Sequence, residues 1–210
     1  MRDLFRSFFA IGLAVASLAA ADLNRGIGLY RDGNYKDAAA ELRSVASAEP
    51  ENLRARYYLG LSVLQLGQYK EAESELIAAD KMISKEKSDP EPREDQVKVG
   101  LARVSIQLKN YTRAGELLDQ AQALRSDNPE VHFYSGRLDL ERRDYAGAAR
   151  HLEKAIHLEP GNAYAHYYAG IAYSNLKRPD KMVEQFEMFL KLAPNAPESK
   201  KVQSLLKGIR

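Results

Sequence analysis

PEVHFYSGRLDLERRDYAGAARHLEKAIHLEPGN, residues Pro129 to Asn162, is the stretch on which the reading of this chain turns. It reads as two short helices with a break between them, the first over about Glu130 to Arg142 and the second over about Tyr145 to Leu158. Gly136, Ala148 and Ala155 are small where two helices must approach closely. Tyr145, Leu152 and Ile156 give the second helix an apolar stripe at helical spacing. Pro160-Gly161 ends it, because proline cannot continue a helix and glycine tolerates the backbone of a turn. A lone helix pair of this size cannot bury its apolar face, so the pattern should recur.

It does recur. The mid-helix glycine returns as Gly26, Gly60, Gly136 and Gly170, with Ala102 in the matching slot. The aromatic that opens the second helix is Tyr35, Tyr69, Tyr111 and Tyr145, then Pro179. The small residue after it is Ala38, Ala72, Ala114 and Ala148, then Met182; the large apolar residue a turn on is Leu42, Leu76, Leu118, Leu152 and Phe186. Closing prolines stand at Pro50, Pro160 and Pro194. Every step is 34 residues except the second to third, which is 42, so eight residues are inserted there. The expected units are 19–52, 53–86, 95–128, 129–162 and 163–196.

A 34-residue helix–turn–helix period with these residue classes in phase resembles the tetratricopeptide repeat family. The resemblance implies an all-α fold, an α-solenoid wound as a right-handed superhelix of five such units. Some positions depart from the family pattern. Ser84 and Ser126 replace closing prolines, and Lys177-Arg178-Pro179 replaces the usual turn of the fifth unit. The column where the family often has tryptophan reads Asp22, Arg56, Lys98, His132 and His166, so that packing contact is expected to be missing.

The insertion falls at 87–94 within KEKSDPEPRED, whose two prolines and alternating charge read as an exposed loop. After it the array continues to residues 197–210, read as a capping helix. There Val202, Leu205, Leu206 and Ile209 form one apolar stripe under a lysine-rich outer face. Residues 1–21 read as a signal peptide. Arg2 and Arg6 precede an uncharged run from Phe8 to Ala21 that closes on small residues suited to cleavage after Ala19 or, preferably, Ala21. The expected location is therefore exported, periplasmic or secreted. The competing reading is a retained anchor, although Arg6 shortens the run below the ~20 apolar residues a span wants.

The 210 residues are 45% hydrophobic and 29% charged, with a formal net charge of +2, a near-neutral balance that gives no electrostatic footprint for nucleic acid, which needs a concentrated basic face. With no cysteine there is neither a disulfide nor a lipid-attachment thiol. In tetratricopeptide arrays the first helices of successive units line a concave face. Carried over residue by residue, that resemblance places Tyr57, Leu61, Leu64, Arg103, Phe133, Arg137, Tyr164, Tyr167 and Ile171 as candidate partner-binding positions. Tyrosine offers a rigid apolar body with a hydroxyl, and arginine offers forked donors to carboxylates or carbonyls, so the lining suits a protein or peptide partner. The lysine–asparagine clamp that family members use on chaperone tails is absent in every register.

No enzyme is expected. HExxH, CxxC, GxSxG and phosphate-loop patterns are missing, and neither a cofactor nor a metal is implied. His132 and His166 occupy equivalent repeat positions and read as repetition rather than as a site. Asp139, in an otherwise apolar or small column, is expected to pair with Arg142 one turn on. The expected function is a non-catalytic interaction scaffold. The alternative is a membrane-anchored subunit of an envelope or secretion complex, and the oligomeric state is not set by the sequence.

Overall fold

The computed structural model describes residues 23–83 and 91–208. The expected signal peptide, residues 87–90 of the insertion, and Ile209 of the expected cap stripe lie outside them. Among the described residues there are eleven helices and no strand. They are α1 (23–31), α2 (Tyr35–Ala48), α3 (Leu53–Gln65), α4 (Tyr69–Ile83), α5 (Glu94–Gln107), α6 (Tyr111–Leu124), α7 (Pro129–Glu141), α8 (Tyr145–Leu158), α9 (Ala163–Asn175), α10 (Pro179–Leu192) and α11 (Ser199–Lys207). None of these is long and apolar enough to cross a membrane.

Five of the described helices, α3 and α6 to α9, start on a short polar side chain. Asn52 accepts from the Ala55 amide at 2.9 Å, Asn162 from Ala165 at 3.1 Å and Asp144 from Gly147 at 2.9 Å. Each satisfies an amide that the first helical turn leaves without a partner. The turns within hairpins share one backbone device, a residue at positive φ. In the first two it is Gly33 (78°) and Gly67 (76°); later it is Lys109 (59°), Arg143 (62°) and Lys177 (55°). The unusual Lys177-Arg178-Pro179 turn therefore keeps the geometry of the others while losing the glycine that adopts it without steric cost.

The chain divides into two compact units, one ending at Leu108 and one beginning at Lys109. In the first, α2 packs on α3, α3 on α4 and α5, and α4 on α5. In the second, α7 packs on α8 and α9, α9 on α10, and α10 on α11. The glycine column sets the close approach within hairpins. A Cβ on Gly60 would stand 2.7 Å from Leu76 Cγ, on Gly136 2.5 Å from Leu152 Cγ, and on Gly170 2.5 Å from Phe186 Cε1. Leu42, Leu76 and Leu152 are fully buried in return. In the second unit Phe186, Phe189, Val202 and Leu206 join one core, so α11 covers α10 with two of its apolar side chains. Leu205, expected on the same stripe, is instead 42% exposed.

The column that lacks tryptophan carries polar ties. Arg56 donates to the Pro50 carbonyl at 3.1 Å and to Glu75 at 2.7 Å. His166 bonds the Pro160 carbonyl through Nε2 at 3.1 Å and meets the Gln185 carboxamide through Nδ1 at 2.8 Å. His132 repeats the first of these, donating from Nε2 to the Ser126 carbonyl at 3.0 Å. One residue thus links the end of the preceding hairpin to its own second helix, by hydrogen bonds where an indole would pack.

Candidate functional site

The nine candidate positions divide by burial. In the first unit Tyr57, Leu61 and Leu64 are buried, and Arg103 is half-buried. Leu61 faces α5, its Cδ2 3.5 Å from where a Gly100 Cβ would stand. Tyr57 packs edge-on against Tyr58 at 5.2 Å, and Tyr58 against Tyr30 at 5.5 Å. These side chains are committed to the unit's own packing.

The end of the insertion closes on the same cluster. Glu91 accepts from the Tyr58 hydroxyl at 3.4 Å and pairs with Arg31 at 3.6 Å, and Pro92 beside it is fully buried. The exposed loop expected over 87–94 is therefore corrected at Glu91, which found a cation, and at Pro92, which is buried, while Arg93 and Glu94 are exposed.

The second unit keeps more of its lining open. Phe133 is buried, Arg137, Tyr167 and Ile171 are half-buried, and Tyr164 is exposed. The rings form a continuous edge-to-face set: Phe133 with Tyr168 at 5.8 Å, Tyr168 with Tyr167 at 5.2 Å, and Tyr164 with Tyr167 at 6.2 Å. Such pairs add about 0.5–1.5 kcal/mol each beyond their burial, which makes the surface stiff. The Arg137 guanidinium lies over the Tyr168 ring at 4.9 Å and near the Tyr134 ring at 5.9 Å, with no carboxylate partner among the described residues.

Next to this platform is a cavity of about 250 Å³, lined by Tyr167, Ile171, Phe186, Val202 and Leu205, with Ser174, Asn175 and Lys201 at its edge. Its floor is apolar and its rim carries one cation. Tyr164 donates to Glu198 at 3.1 Å, which fixes its ring at the other side of Tyr167. Burial first, then Glu198, pushes the Tyr164 and Tyr167 phenols above their ordinary range, so both remain neutral hydroxyls. Lys201, Val202 and Leu205 come from α11, which sequence reasoning assigned only to capping; the lysine-rich face of that helix was the one available signal. A wider depression of about 480 Å³ in the first unit is lined by Leu23 and the turn residues Glu49 to Arg54, and it offers no aromatic platform.

Asp139 is a second correction. Its carboxylate meets His151 Nδ1 at 2.8 Å, while Arg142 donates to the Tyr111 carbonyl at 2.5 Å. The expected partner one turn along the same helix loses to one on the facing helix, because α7 and α8 pack closely enough for a short carboxylate to cross.

The tetratricopeptide repeat family matches residues 23–81 and 135–197. Among solved structures, TTC0263, a thermophilic tetratricopeptide protein of Thermus thermophilus, superposes with a TM-score of 0.76 at 19% identity, covering 90% of this chain and 98% of that one. A chain of the Cut9–Hcn1 hetero-tetramer of APC/C gives 0.75 at 21% identity, over 85% of this chain and 34% of that one. YrrB, described as having an unusual peptide-binding site, gives 0.55 at 18% identity, over 87% and 90%. At these identities the likeness is one of fold. No curated protein matches the chain.

Proposed function

Since this chain belongs to the tetratricopeptide repeat family, whose folds serve as protein–protein interaction scaffolds, we propose that it is a non-catalytic adaptor that holds a partner segment on its second unit. The observation that carries this reading is the Arg137 guanidinium, stacked on Tyr168 with no carboxylate partner among the described residues, together with the apolar cavity of about 250 Å³ lined by the neighbouring Tyr167, with Lys201 at its rim. That pairing suits a protein segment bearing one acidic group and one aliphatic side chain. The guanidinium is already ordered by its ring, so less rotamer entropy is lost on binding. Phe133 serves from beneath the platform, while Tyr164, Tyr167 and Ile171 offer contact area. The buried Tyr57, Leu61 and Leu64 offer little.

Export with cleavage after Ala21 is part of the proposal. It rests on the basic start, the apolar run and the small-residue exit of residues 1–21. N-terminal sequencing of the protein recovered from its native cell separates cleavage from a retained anchor.

Arg137→Ala and Tyr167→Ala test the groove. Partner recovery by crosslinking from the native host, identified by mass spectrometry, is expected to fall about tenfold or more for each variant, with helicity kept. Equal recovery by wild type and both variants would sink the proposal.

A further inference from the structure

We propose that His132 and His151 form a two-histidine site for one divalent transition-metal ion of the zinc class, bridging α7 and α8. His132 bonds the Ser126 carbonyl through Nε2 at 3.0 Å. A carbonyl only accepts, so Nε2 carries the proton and Nδ1 is left as a lone pair. That residue is 6% exposed, and its buried Nδ1 has no hydrogen-bond partner. His151 meets the Asp139 carboxylate through Nδ1 at 2.8 Å, so Nδ1 carries a proton there, and in the neutral ring Nε2 holds the lone pair. Each neutral ring thus directs its N–H to an oxygen acceptor and leaves its other nitrogen as a donor atom. A metal-bound imidazole is held in the same way by its outer partners, commonly a carboxylate or a backbone carbonyl.

The next hairpin shows where the buried lone pair aims. His166 occupies the position of His132 one repeat later, and its Nδ1 meets Gln185, which occupies the position of His151. In the α7–α8 hairpin that link is open. The His151 ring is turned to Asp139, and the two imidazole centroids stand 6.4 Å apart at 33°. With metal–nitrogen bonds of about 2.0–2.1 Å, two imidazoles on a tetrahedral ion have centroids roughly 5 Å apart. Binding therefore asks His151, whose side chain is 37% exposed, to approach by about 1 Å, within the reach of a side-chain rotation. No group of three or more His, Cys, Asp or Glu side chains placed for a metal occurs among the described residues. The protein thus supplies two donors and water the remainder, which makes the ion exchangeable. Imidazole donors favour zinc, copper and nickel over magnesium or calcium.

The test is a zinc titration of the purified protein against a chromophoric chelator, with melting temperature followed in parallel. Wild type should take up one zinc ion saturably and melt higher with it. His151→Gln recreates the His166–Gln185 link, so its metal-free form should melt at or above wild type while zinc affinity drops about tenfold or more. Asp139→Asn, which loosens the ring without removing a donor, should weaken zinc by a smaller factor, and the exposed His157→Gln should change nothing. Nitrogen-15 NMR should show zinc moving the His132 Nδ1 and His151 Nε2 resonances. The proposal is overturned by no saturable uptake in wild type, by unchanged affinity in His151→Gln, by loss of uptake in His157→Gln, or by unmoved His132 nitrogens. The last reading uses wild type alone, so it decides even if a variant fails to fold.

Discussion

Gly136 sets how closely α7 and α8 can lie. A Cβ there would stand 2.5 Å from Leu152 Cγ and 3.2 Å from the Ala148 carbonyl oxygen. Leu152 is fully buried, and the clash is at its branch point rather than at a free methyl, so the leucine has no empty rotamer to take. Alanine gains about 1 kcal/mol of helix propensity over glycine. Overpacking of this kind costs about 1–3 kcal/mol and involves backbone here, so the clash wins. Gly136→Ala is expected to destabilise the protein by up to about 2 kcal/mol, read as a lower urea midpoint at unchanged slope. An equal or higher midpoint would show that the hairpin spreads freely. This column was legible from the sequence because a close approach admits only the smallest residues, whatever lies further away. Asp139 was not, because its partner sits on another element. Repeat equivalence matched His132 to His166, and the two share the bond to the preceding carbonyl, yet it did not show that the second link of His132 is open.

At the scale of elements, α8, α9 and α10 are tied by one polar knot. Glu153 on α8 accepts from the Tyr173 hydroxyl on α9 and from Lys181 on α10 at 2.9 Å. Burial pushes the Glu153 carboxyl up, but the Tyr173 and Lys181 bonds outweigh it and hold it below its ordinary 4.5. A carboxylate with a depressed folded-state pKa contributes stability above its unfolded pKa and loses it as pH falls through the folded value. Tyr173, raised by burial and by Glu153, works in the opposite sense, with its contribution lost only as pH rises through its folded pKa, above the ordinary 10. Glu153→Gln should therefore melt below wild type from about pH 5 to pH 9, and the difference should vanish near pH 2. The side chain is 48% exposed, so the gap should stay under about 1 kcal/mol. Thermal unfolding by circular dichroism across that range checks it; a gap that persists at pH 2 would place its cause outside the carboxylate. The bounds of α7 and α8 were legible to within a residue, because the Asn128 and Asp144 caps and the positive-φ turn at Arg143 act locally. The burial of Pro92 was not, since a charged, proline-bearing segment reads as solvent-exposed.

Within the second unit, adjacent helices pack on one another, so stability accrues locally and an end without a neighbour must be closed. α11 closes the second unit with Val202 and Leu206, and the same helix lines the candidate site with Lys201 and Leu205. Two neighbouring leucines should therefore answer opposite questions. Leu206 is 8% exposed and Leu205 42% exposed. Leu206→Ala removes a buried side chain at a helix junction and should cost about 2–4 kcal/mol. In hydrogen exchange the loss of protection should fall within residues 109–208 and spare the first unit, because local opening follows local packing. Leu205→Ala should leave the melting temperature within about a degree, since exposed substitutions shift stability by less than about 0.5 kcal/mol, yet lower partner recovery. Sequence periodicity placed both leucines on one buried stripe. The nine-residue α11 buries a narrower arc than that stripe assumed, which leaves Leu205 at the lip of the cavity. If Leu205→Ala destabilises as much as Leu206→Ala, α11 is a cap alone and the partner site must be sought among the first helices. If it weakens binding at constant stability, the end of the array is both its closure and part of its binding surface.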